Sequence, residues 1–152
     1  MARKPALEQT DDAAIERVNE ALHVMLHRLN FTRLGLWSDK LEDINFLDLH
    51  VMAYAEESPD HTLGEMREFL QVPQSTLTSI IDRLERRGLI ERAINVRDKR
   101  SYLIKLTPAG EEVQREHHRV ERLIAQRILE ALPTAKARNE FISLLTVIIR
   151  RL

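Results

Sequence analysis

Apolar side chains recur at three- and four-residue steps through Ile15, Val18, Leu22, Met25, Leu26 and Leu29, which predicts a first helix over about 11–37. A second apolar group, Phe46, Leu47, Leu49, Val51, Met52 and Tyr54, predicts a helix over about 44–57. It stops before Ser58-Pro59-Asp60, because proline disfavours a helical residue ahead of it. Thr62 and Glu65 have the spacing of a capping box, so a third helix starts there, with Leu63, Met66, Phe69 and Leu70 on its buried side. It ends near Gln71, since Pro73 restricts Val72, and a fourth helix begins at Pro73 or Gln74. On that helix Leu77, Ile80, Ile81 and Leu84 form one stripe, and Gly88 ends it.

Beyond Gly88 the period changes from helical to extended. Residues 89–94 have the β-branched content of a strand, 95–100 a polar turn, and 101–106 a return strand. Thr107 then caps a helix with Pro108 at its first position, and Val113, Val120, Leu123, Ile124 and Ile128 carry the stripe to about 131. Pro133-Thr134 breaks it. A last helix places Phe141, Leu144, Leu145, Ile148, Ile149 and Leu152 on one side.

The fold class this predicts is mainly α: a winged helix-turn-helix with a small β-hairpin wing, flanked by long N- and C-terminal helices. Residues 41–106 form the winged unit, while 1–40 and 107–152 form a helical region whose apolar faces need a cover, which a two-fold dimer supplies. Such a domain sets one helix into a DNA major groove and a loop beside it. The face opposite the 74–86 stripe supports that reading: it is centred on Ser75, Ser79, Asp82 and Arg86 and flanked by Thr78 and Arg83. Short hydroxyl side chains allow close approach to bases, and arginines address phosphates. The hairpin tip holds Arg97, Lys99 and Arg100, with Asp98 placed to orient Arg100 toward a narrow minor groove.

A net charge of only −1 over 152 residues does not count against nucleic acid, because the charge is segregated. Between Gln74 and Lys105 there are eight basic and four acidic residues, so this segment carries +4 and the remainder −5. With 43% hydrophobic residues the chain can bury a core, and the lack of cysteine removes disulfides and thiolate chemistry. No apolar run approaches 18 residues and no leader pattern is present, which points to the cytoplasm and away from membranes.

The ordered motifs QSTLTSIIDRLERRGLIER, RDKRSYLIKLT with Asp98 and Arg100 as an Asp-x-Arg wing signature, and LTPAG opening a long helix resemble the MarR (multiple antibiotic resistance regulator) family. The resemblance implies an obligate homodimer that binds a pseudo-palindromic promoter site in double-stranded DNA, usually as a repressor, and is released by a small ligand. By position it places Ser75, Thr76 and Thr78 in the major groove and Arg100 in the minor groove; the residues themselves add Gln74, Ser79, Arg83, Arg86, Arg97, Asp98 and Lys99 to the DNA-binding set, with Arg83 or Arg86 toward phosphate. The chain departs from the pattern at Ser79, where many members carry an arginine. In relatives small anionic aromatics bind between the dimerisation helices and the winged unit. That implies His27, Arg28, Phe31, Arg33 and Trp37 as effector residues, although Phe31 and Trp37 also suit a plain core role.

Other chemistries leave weaker traces. Glycine loops for phosphate, a Gly-x-Ser-x-Gly elbow and a His-Glu-x-x-His motif are missing, so the reading is of a non-enzyme with no assigned cofactor or metal. His23 and His27 have metal-ligand spacing and His117-His118 falls on another helix, which leaves a zinc-responsive regulator as one alternative. Adjacent histidines diverge by about 100° on a helix, which weakens it. A winged helix used only for protein-protein contact is the other, and the basic tip has no purpose in that role.

Overall fold

A computed structural model of the chain describes residues 11–30, 33–95 and 102–152. Six helices and one hairpin follow in the order expected: α1 (Asp12–Arg28), α2 (Phe46–Glu57), α3 (Leu63–Leu70), α4 (Gln74–Arg86), β1 (Ile90–Ile94), β2 (Tyr102–Leu106), α5 (Pro108–Glu130) and α6 (Ala135–Arg151). The first helix is shorter than its apolar period suggests. It stops at Arg28 because Asn30 takes a left-handed conformation, φ 47°, which an amide side chain tolerates, and residues 34–36 and 39–41 form two separate 3-10 turns instead. Those turns bury Leu34 and Leu41, and the Trp37 Nε1–H donates to the Leu29 carbonyl at 2.9 Å.

Local signals set the other boundaries. The Thr62–Glu65 capping box forms as expected, and α2 has one of its own, Asn45 with Asp48. Ile44 and Leu49, both buried, flank that cap in the positions of a hydrophobic staple. At the end of α4, Gly88 has φ 69°, its N–H donates to Glu85 and the Leu89 N–H donates to Leu84, which is a Schellman closure. The closure turns the chain directly into β1. The two strands pair antiparallel from Ile90↔Leu106 to Ile94↔Tyr102.

The core sits where α2, α4, the hairpin and α5 meet, around Leu49, Met52, Ile81, Leu84, Ile90, Ile104 and Val120. The α4 stripe is buried as its spacing predicts. α5 starts at a Thr107 cap with Pro108 inside it, and a Thr134 cap opens α6. Among the described residues, α1 and α6 bury none of their own, and Ile15, Val18, Leu22, Leu144, Leu145, Ile148 and Ile149 all stand exposed.

Candidate nucleic-acid interface

With its apolar stripe spent on the core, α4 turns the opposite face outward. Gln74, Ser75, Thr78, Ser79 and Arg86 are exposed, and these five together with Asp82 line an open trough of about 870 Å³. Thr76 is half-buried beside it, facing a second hollow shared with Asn45, Leu47 and Arg83. The floor of the trough is short side chains. The Thr78 hydroxyl donates to the Gln74 carbonyl at 2.9 Å, leaving its oxygen as an acceptor on the surface. Pro73 provides the cap residue without a side-chain bond, so the first amides of α4 lack a side-chain acceptor at the end where Gln74 and Ser75 stand.

The arginines divide by partner. Arg83 pairs with Asp48, whose carboxylate is 0% exposed, and so ties α4 to the first turn of α2. Arg87 donates to the Asp43 carbonyl at 2.7 Å. Arg92, on β1, spans Asp82 and Glu85 of α4, and the Asp82 carboxylate beside it raises its pKa further. Arg86 stays exposed, its Nε held by the Asp82 carbonyl at 3.2 Å. Sequence reasoning missed the Asp48–Arg83 and Arg92 contacts. The signal available was an aspartate three residues after Asn45, in the first turn of a helix that is mainly apolar up to Ala55.

Of the expected effector residues that are described, only Arg33 lines the hollow beside the 3-10 turns. His27 and Arg28 are exposed at the end of α1, and Arg33 lines a hollow of about 490 Å³ formed with Leu34, Gly35, Asp43 and Asn45. Trp37 does not line that hollow. Its ring lies under the Arg127 guanidinium at 4.5 Å, so one face is already covered from α5. Phe31 and the hairpin tip, with Arg97, Asp98, Lys99 and Arg100, lie outside the described residues.

Comparison with known proteins bears on this arrangement. The model of the MarR family matches residues 44–102, from the start of α2 to the return strand. The Multiple antibiotic resistance protein MarR of Escherichia coli is 30% identical over 98 residues, covering 63% of this chain and 68% of that protein. The chain belongs to the MarR family. The HTH-type transcriptional regulator Hpr of Bacillus licheniformis is 34% identical over 71 residues, 47% of this chain, and the match spans only 34% of that regulator's length. Among solved structures, Streptococcus pneumoniae FabT in complex with DNA superposes with a TM-score of 0.76 at 25% identity, covering 90% of this chain and 95% of that one. The winged-helix architecture of MarR proteins therefore extends over nearly the whole chain, including the flanking helices. No helix among the described residues is long and apolar enough to cross a membrane.

Proposed function

We propose that the protein is a dimeric transcriptional regulator that binds a pseudo-palindromic promoter site in double-stranded DNA, as a repressor released by a small, anionic aromatic ligand. The observation that carries the reading is the outward face of α4, with hydroxyl side chains at its N-terminal end and exposed Arg86 beyond them, on a fold whose FabT relative was solved with DNA. Gln74, Ser75, Thr76, Thr78 and Ser79 approach base edges, and Arg86 meets phosphate. Arg97, Lys99 and Arg100, with Asp98, serve the minor groove. Arg83 acts through Asp48 by holding α4 in place.

The uncovered apolar faces of α1 and α6 support a helical dimerisation region made of 1–40 and 107–152, beside a DNA-reading unit of 41–106. A two-fold dimer presents two α4 helices to successive major grooves, roughly 34–36 Å apart. The effector acts by favouring a spacing of those helices that does not match the operator, so its effect is the difference between its affinities for the two spacings. His27, Arg28, Phe31, Arg33 and Trp37 are the residues proposed to meet it. Selection of bound fragments from random DNA tests the reading: a two-fold-symmetric site should be enriched, and recovery of unrelated sequences alone would remove it.

A further inference from the structure

Away from the DNA face, α5 carries Gln114, His117, His118 and Glu121 on one strip. At about 100° per residue the two adjacent imidazoles diverge, yet Glu121 falls between them one turn later and Gln114 one turn earlier. The carboxylate closes the gap that makes neighbouring histidines poor partners by themselves. One ligand atom from each of His117, His118 and Glu121 lies within 4.8 Å of the others, and His117 Nε2 is 3.4 Å from Glu121 Oε1.

Burial gives a second, independent observation. Gln114 is 0% exposed and His117 6%, and both amide atoms of Gln114 and Nδ1 of His117 have no hydrogen-bond partner among the described residues. Buried polar groups left in that condition are costly, so their retention on one turn of helix asks for a ligand chemistry that uses them. A cation on His117 Nε2 fixes the ring proton on Nδ1, and a ligating imidazole ordinarily donates that N–H in a hydrogen bond to an outer acceptor. Gln114 Oε1 is a buried acceptor one turn away.

We infer that His117, His118 and Glu121 form a binding site for a zinc-like divalent cation, with Gln114 as the outer group that orients His117. Two imidazoles and one carboxylate are the donor set of a borderline cation rather than of calcium or magnesium, and three ligands leave a fourth position for water. Burial, above all, pushes the His117 imidazole below its ordinary range against the pull of Glu121, with His118 and His50 on α2 adding to the push. The inference does not depend on DNA binding.

Calorimetric titration of the full chain with zinc chloride, without DNA, tests it. One zinc per chain with submicromolar affinity is expected. His118→Ala and Glu121→Gln, both at exposed positions, should each weaken it at least about tenfold, and Gln114→Leu about tenfold through the outer shell. A His23→Ala/His27→Ala variant removes the exposed histidine pair of α1 and should leave the affinity unchanged, with circular dichroism verifying that each variant is folded. Cobalt in place of zinc should give the intense visible absorption of a tetrahedral site. Binding no tighter than that of a scattered surface histidine, or binding lost with His23 and His27 but kept without His118 and Glu121, overturns the inference.

Discussion

Asp48, in the first turn of α2, is fully buried and holds Arg83 of α4, thirty-five residues away, by its Oδ1, while its Oδ2 accepts the Asn45 N–H at 3.2 Å. One carboxylate thus caps one helix and anchors another. Asp48→Ala removes both interactions and should cost about 2–3 kcal/mol, of which the cap supplies about 1 and the pair the rest, reduced because the Arg83 side chain is 37% exposed to screening solvent. Arg83→Ala should be similarly destabilising, since it strands a buried charge, and the double variant should cost less than the two losses added. Urea unfolding of the three variants measures the coupling. Equal additivity would mean that the pair contributes nothing.

Arg86 and Arg83 should part company in a DNA assay. Arg86→Ala removes an exposed charge and should lower the slope of log affinity against log salt by about 0.9. Arg83→Ala should leave that slope unaltered and act through a less stable fold. Fluorescence anisotropy across a salt series separates the two, and a lowered slope for Arg83 would return it to direct phosphate contact.

Gly110 packs its α carbon against backbone. A Cβ there would lie 2.0 Å from the Leu89 carbonyl oxygen, a contact that only movement of α5 or β1 relieves. Gly110→Ala should therefore destabilise the fold by about 2 kcal/mol or more. Gly88 has open space around its Cβ position but φ +69°, so Gly88→Ala should cost only about 1 kcal/mol, the left-handed penalty. Denaturation midpoints that rank the two in the opposite order would contradict the packing described.

Changing Leu145 and Ile148 together to glutamate places charge in the exposed apolar face of α6. Sedimentation should then show monomer in place of dimer. An unchanged dimer would take α6 out of the interface and leave the cover of its apolar face to be found elsewhere.

Acid should weaken the contacts that Glu116 makes within α5 and with Ser38, the cap of the 3-10 turn at 39–41. The Arg119 guanidinium, with Ser38 second, lowers the Glu116 pKa from 4.5 to about 2. Because the folded value is the lower one, the stability Glu116 adds is present above about pH 4.5 and is lost as the pH falls toward 2. Glu116→Gln should flatten that part of the acid unfolding curve, followed by circular dichroism, and an identical curve would show that the ion pair has no net effect.

What could be read from the sequence was whatever is local. The Thr62–Glu65 box, the Thr107-Pro108 start of α5, the Gly88 stop and the buried stripe of α4 each lie within a few residues of their cause, and each appears where the spacing puts it. The end of α1 was not legible, because apolar residues continue through Trp37 at nearly helical steps and the stop visible among the described residues is the conformation of Asn30. The outward face of α4 could be read for the same reason as its buried one. Which of its arginines are already engaged could not, since Asp48 and the Asp43 carbonyl reach Arg83 and Arg87 across more than thirty residues of chain.

Thr107 holds a junction shared by three elements. Its N–H donates to the Leu89 carbonyl at 3.1 Å, its hydroxyl donates to the Gly88 carbonyl at 2.6 Å, and the same oxygen accepts the Gly110 N–H at 3.1 Å. The end of α4, the root of the hairpin and the start of α5 are thereby riveted at a single residue. The relative placing of these three elements therefore depends on one hydroxyl and one N–H, and any force that parts one of them from the others acts first on those bonds.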